Sequence, residues 1–122
     1  MGLYNRVDVG LDPFPYNGTT TTCDALWMGV PVVTLAGRTH VARVGLSLVS
    51  HLGFPEWGVA SSDAYVARCR ELTADLPALA RLRLGLREQM RVSPLCDATQ
   101  FLGNLEAAYR GMWQTWCDQQ PK

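Results

Sequence analysis

Four consecutive hydroxyl side chains, Thr19, Thr20, Thr21 and Thr22, follow the turn pair Asn17-Gly18 and stand just ahead of a carboxylate at Asp24. This set suits phosphate and ribose chemistry. Hydroxyls donate hydrogen bonds to phosphate oxygens, a glycine lets the backbone approach, and a carboxylate accepts bonds from ribose hydroxyls. A single threonine at a helix start is accounted for by N-capping, and a single aspartate near an N-terminus by the helix dipole. Four threonines in a row exceed what a cap needs, because β-branched residues are poor helix formers. The candidate ligand contacts are therefore Asn17, Gly18, Thr19, Thr20, Thr21, Thr22 and Asp24.

The elements that must position them are a strand and a helix. Val7, Val9 and Leu11 are apolar and β-favouring, and Pro13 and Pro15 forbid further ladder pairing, so the strand ends near Asp12. Thr20 to Met28 reads as a helix with Cys23, Leu26 and Trp27 on its apolar side, stopped by Gly29 and Pro31. A helix that opens just after a strand points unpaired amides, and about half a positive charge, over the strand's carboxyl end. Phosphate is the natural occupant of such a place. Val32-Val33-Thr34-Leu35 is a short apolar run that suits a parallel strand buried on both faces, completing a βαβ unit. Gly37-Arg38-Thr39-His40 forms a second strand-to-helix junction on the same edge, where Arg38, Thr39, His40 and Arg43 face the cleft. His40 has no carboxylate nearby in sequence to orient it as a base and reads as a capping or solvent-facing residue, whereas His51 reads as packed.

The second helix runs to Gly53, followed by a turn and a short edge strand at Gly58-Val59-Ala60. Ser62-Asp63 caps a helix to about Leu72. Asp75-Leu76-Pro77 starts the next, with Leu76, Leu79, Leu82 or Leu86, and Met90 inward and Arg81, Arg83, Arg87 and Arg91 on a solvated face. Ser93-Pro94 breaks it. Asp97 caps a last helix whose stripe of Phe101, Leu105, Ala108, Tyr109, Met112 and Trp116 is longer than a small lobe can cover, which predicts an exposed apolar patch.

Composition bounds the class. With 48% hydrophobic and 18% charged residues the chain reads as a single globular α/β unit, and eleven basic against eleven acidic residues leave no broad field for nucleic acid or an acidic membrane. No apolar run reaches eighteen residues, and no secretory signal is visible, so a cytoplasmic location is expected. Cys23, Cys69, Cys96 and Cys117 lack zinc-site spacing and read as small buried thiols. No Asp-x-Asp pair or His cluster offers a metal site.

The segments Tyr4-Asn5-Arg6-Val7-Asp8, Leu11 to Gly18, the threonine run, Asp24 to Gly37, Ala42-Arg43-Val44-Gly45 and Ser93-Pro94-Leu95-Cys96-Asp97 resemble the C-terminal catalytic lobe of the O-linked N-acetylglucosamine transferases and their SPINDLY-like relatives, family 41 of the glycosyltransferases. The resemblance covers nearly the whole chain. It implies a partial Rossmann-like nucleotide-binding lobe of a GT-B enzyme, with residues 1–60 as its βαβα portion and 61–122 as helices closing the same lobe. The family's pattern often places His after Asn-Gly, then two Thr and, after two more residues, an Asp. Here Thr19 takes the His position, Thr20 and Thr21 map to the phosphate contacts and Asp24 to the ribose contact. The implied activity is transfer of a sugar from a nucleotide donor, UDP-N-acetylglucosamine, to Ser or Thr of a protein, without a metal. Relatives that use UDP-glucose or GDP-fucose, or a non-catalytic nucleotide-binding or interaction fragment, are the alternatives. The family's first lobe, its acid/base His, its diphosphate-contacting Lys, its base-reading segment and its tetratricopeptide repeats have no counterpart in these residues. The resemblance thus implies no catalytic residue here, a protein acceptor met through regions outside this sequence, and a fragment that is inactive alone.

Overall fold

The computed structural model describes residues 2–119. Three short parallel strands, β1 (Gly10–Leu11), β2 (Val32–Leu35) and β3 (Gly58–Val59), lie in the order β1-β2-β3. Gly10 and Leu11 pair with Val32 and Val33 on one side of β2, and Gly58 and Val59 pair with Thr34 and Leu35 on the other. The central strand is buried on both faces, as its unbroken apolar run requires.

Among the described residues there are five α-helices: α1 (Thr20–Trp27), α2 (Val44–His51), α3 (Ser62–Ala74), α4 (Leu76–Arg91) and α5 (Ala98–Asp118). The predicted boundaries of α1 and β2 hold to within a residue, and α1 and α2 both end at glycines in the left-handed region, Gly29 at φ 79° and Gly53 at φ 89°. Gly29 also has to be small, since a Cβ there would lie 2.6 Å from the Arg83 carbonyl oxygen of α4. Leu26, Val30, Val49, Leu52, Trp57, Leu86 and Met90 form the core between sheet and helices. Phe54 stacks on Trp57 with centroids 4.1 Å apart and rings 3° from parallel.

Several expectations are corrected. The buried face of α1 is Thr22, Ala25 and Leu26, so Trp27 lies at its edge, partly in water. Ser61, rather than Ser62 or Asp63, caps α3, its hydroxyl accepting from the Ala64 amide at 3.2 Å, and the helix runs on to Ala74. Asp75 and Asp97 cap α4 and α5 as expected. Leu76 is exposed, leaving Leu79, Leu86 and Met90 as the inward side of α4. Cys96 and Cys117 are exposed, with only Cys23 and Cys69 partly buried. His51 is exposed too, its ring Nδ1 paired with the Ser47 carbonyl at 2.7 Å.

Helix α5 buries none of its residues. Its main neighbour is the turn Pro94–Cys96 just ahead of it, and Phe101, Tyr109, Met112, Trp113 and Trp116 all face water. Trp113 and Trp116 stack on one another at 5.0 Å while staying 62% and 53% exposed. A stripe of this size is an adhesive surface. Replacing Trp113 and Trp116 together by Glu should lower binding of an apolar dye and concentration-dependent light scattering, while changing unfolding stability by no more than about 0.5 kcal/mol, as expected of surface sites.

Candidate nucleotide site

The loop from β1 to α1 is organised by one buried side chain. Asp12, only 5% exposed, ends the strand with its carboxylate turned inward. Its Oδ1 accepts from the Gly18 amide at 2.7 Å and its Oδ2 from the Thr34 hydroxyl at 2.6 Å. A buried carboxylate is costly unless its oxygens are bonded, and here a turn and a strand both bond it. Its backbone carbonyl accepts from the Tyr65 hydroxyl of α3 at 3.1 Å.

Asn17, 1% exposed, fixes the other side of the loop. Its amide nitrogen donates to the Pro13 carbonyl at 3.1 Å, its Oδ1 accepts from the Gly45 amide at 3.3 Å, and its backbone amide donates to the Val41 carbonyl at 2.9 Å. The start of α2 is thereby held against the start of α1. Gly45 is the contact point: a Cβ there would overlap Asp12 and the Thr34 hydroxyl. Gly18 is similarly confined, since a Cβ would meet the hydroxyls of Thr21 and Thr22 at 2.6 and 2.7 Å.

The threonines divide between scaffold and surface. Thr22 is buried, and its hydroxyl donates to the Gly18 carbonyl at 3.1 Å. Thr22 and Asn17 therefore have side-chain atoms engaged in bonds within the chain, which support the loop. Thr19, Thr20 and Thr21 are exposed. Thr19 occupies the N-cap position yet makes no side-chain capping bond. The first intrahelical bond runs from the Cys23 amide to the Thr19 carbonyl at 3.0 Å, so the amides of Thr20, Thr21 and Thr22 have no partner within the helix. Asp24 follows Thr20 by four residues and Thr21 by three, which puts the three side chains on one face. It is half-buried and has no hydrogen-bond or ion-pair partner among the described residues.

Beside Thr19 an open groove of about 570 Å³ runs along α2, lined by His40, Arg43, Val44 and Ser47 among others. His40 and Arg43 thus line the same groove as Thr19, and Arg43 spends one nitrogen on the Gly37 carbonyl at 3.1 Å. Arg38 and Thr39 are exposed in the preceding loop. Among the described residues no group of three or more His, Cys, Asp or Glu side chains is gathered to hold a metal ion, and no helix is long and apolar enough to cross a membrane.

Sequence reading missed Thr34, Gly45 and Tyr65. Their partners lie 22 to 53 residues away along the chain, and no local pattern marks such bonds.

The parallel sheet with helix starts gathered at its carboxyl edge is that of part of a GT-B lobe. The structure superposes on a Thermobaculum terrenum O-GlcNAc transferase mutant with a TM-score of 0.85 and 43% identity, over 96% of this chain and 22% of that one. The sequence profile of Glycosyl transferase family 41 matches residues 5–105, and the chain belongs to that family. It is 48% identical over 118 residues to the probable UDP-N-acetylglucosamine--peptide N-acetylglucosaminyltransferase SPINDLY of Petunia hybrida, covering 97% of this chain and 13% of that protein. To the corresponding SPINDLY protein of Arabidopsis thaliana it is 45% identical over 117 residues, covering 96% of this chain and 13% of the relative. The chain therefore spans about an eighth of the length of these relatives.

Two outcomes test the supporting network. Gly45→Ala should destabilise the chain by about 1–3 kcal/mol in denaturant unfolding, because the new methyl must displace the Asp12–Thr34 pair. The Tyr65 phenol is pushed up to about 12, first by burial and then by the charges of Cys69 and Asp12. The folded chain thus holds this proton more tightly than the unfolded chain, whose tyrosines titrate near about 10. That contribution is whole below about pH 10 and is lost as pH rises towards 12. Ultraviolet titration should show one tyrosinate forming last, and Tyr65→Phe should remove that late step.

Proposed function

We propose that this chain supplies the diphosphate- and ribose-binding part of the donor site of a protein O-glycosyltransferase whose donor is UDP-N-acetylglucosamine. The observation that carries the reading is the exposed row Thr19, Thr20 and Thr21 at the opening of α1, beside amides that have no intrahelical partner and in a first turn without an acidic side chain. Thr19 being idle as a cap weighs against the plain structural explanation of the row.

The chemistry follows from the placement. Helix amides and threonine hydroxyls donate to diphosphate oxygens, and the dipole of α1 favours negative charge at its start. As the bond between sugar and diphosphate breaks, charge grows on the leaving diphosphate, and donors already in place offset it without reorganising. Asp24, on the same face a turn further along, is placed to accept from ribose hydroxyls and lies too deep in the helix to crowd the phosphates. The acceptor protein is a Ser/Thr substrate met through other parts of a longer polypeptide. The probable N-acetylglucosaminyltransferase names of the plant relatives support the donor assignment.

Calorimetric titration of the chain with UDP, UDP-N-acetylglucosamine and GDP tests this reading. UDP should bind through its diphosphate and ribose, and Thr20→Ala combined with Thr21→Ala should weaken it by about tenfold for each charge-assisted hydrogen bond removed. Asp24→Ala should weaken UDP but leave pyrophosphate unaffected. A folded double variant with unchanged affinity for UDP overturns the phosphate assignment.

A further inference from the structure

We propose that Arg83 and Arg87, on α4, are positioning residues of the donor site, acting through the far end of α1; the inference rests on the donor-site reading above. Helix α1 carries no basic residue in its last turn, so its own sequence leaves the negative end of its dipole unmatched. Two arginines more than fifty residues later supply what is missing. Arg87 donates from Nε to the Trp27 carbonyl at 2.8 Å, donates from Nη2 to the Met28 sulfur at 3.3 Å, and lies over the Trp27 ring at 5.4 Å from its centroid. Arg83 donates from Nε to the Gly29 carbonyl at 3.1 Å.

Arg83 has a second task. Its other two nitrogens donate to the Asp8 carboxylate at 2.8 Å and the Tyr4 carbonyl at 3.1 Å. One guanidinium thus joins the approach to β1 with the exit from α1, the two ends of the unit whose middle is the Asp12–Gly18 loop. The backbone of α4 reinforces the joint, because at Gly29 it leaves no room for a side chain. Arg81 and Arg91 take no part, and Arg91 is paired with Glu88 on its own helix.

The lever is short. An eight-residue helix is about 12 Å long, so freeing its carboxyl end lets the threonine end shift by a distance that matters to hydrogen bonding. Misplacement of about 1 Å can cost on the order of a hundredfold where alignment governs function. The paired guanidinium groups also fix two orientations at once, the tilt of α1 through Arg83 and its terminal turn through Arg87. Both side chains sit on the α4 surface, away from the threonines, so neither touches the donor itself.

The test uses UDP as the probe, with affinity measured by calorimetry and the Thr20, Thr21 and Thr22 amides followed by NMR, all well below the unfolding temperature. In the unaltered chain UDP should move these amide resonances. In Arg83→Gln/Arg87→Gln the affinity should fall about tenfold or more with helix content unchanged, and the amide shifts at saturation should shrink. Arg87→Lys, which keeps the cation and one donor, should recover part of the loss. A merely structural role would lower the unfolding temperature but leave affinity and saturating shifts of the folded population as they were, and that result overturns the proposal. Should the double variant fail to fold, Arg87→Gln alone gives the same two readouts, with unaltered affinity and shifts again overturning it. If UDP leaves the three amides of the unaltered chain unmoved, the donor-site reading fails first and takes this role with it, an outcome visible before any arginine is changed.

Discussion

The carboxylate of Asp12 is the constraint on which the site depends. It ends β1, receives the Thr34 hydroxyl from β2 and the Gly18 amide from the loop, and its backbone carbonyl receives Tyr65 from α3. A carboxylate this buried keeps its place only while those donors keep theirs. Gly45 has to be small because α2 begins where Asp12 and Thr34 meet, and Asn17 then binds the Gly45 amide to the same loop. Four elements are thus drawn to one point by polar bonds, and the opening of α1 is set as a consequence.

This arrangement separates support from exposure within a single run of threonines. Helical periodicity turns Thr22, Ala25 and Leu26 inward and leaves Thr20, Thr21 and Asp24 on another face. Thr22 closes the turn through the Gly18 carbonyl, so the exposed hydroxyls rest on a turn already bonded beneath them. At the opposite end of the helix the arginines of α4 meet the last carbonyls. The two ends of α1 are held by unrelated devices, a carboxylate and an amide at one and two guanidinium groups at the other.

Much of the fold could be read from local pattern. The apolar run of β2 between Pro31 and Gly37, the glycine stops of α1 and α2, and the Asp75 and Asp97 caps each rest on neighbours in sequence, and each stands where expected. The candidate site was legible as a set of residue types around Gly18, and less so as a division of labour. Nothing near Asn17 or Thr22 reveals that partners at Val41, Gly45 or Gly18 would occupy their polar atoms. Arg83 and Arg87 read as a solvated face because periodicity distinguishes apolar from polar sides but does not say which carbonyls lie opposite. Trp27 read as core by spacing, yet it serves at the rim as a platform for Arg87. The long stripe of α5 was legible as apolar, and its exposure followed from its length.

The strands are only two, four and two residues long, so the sheet holds little of the molecule together by itself. The apolar core does most of that work, and bonds across long stretches of chain add to it, from Tyr65 to Asp12 over 53 residues, from Arg87 to Trp27 over 60 and from Arg83 to Tyr4 over 79. Such closures are slow relative to local helix formation, and they have to await the later partner. During synthesis the threonine row therefore emerges well before the residues that hold its helix. Until α4 has left the ribosome, β1 and α1 lack their anchor, and the apolar faces of the half-made sheet stand open to mispairing or to a chaperone.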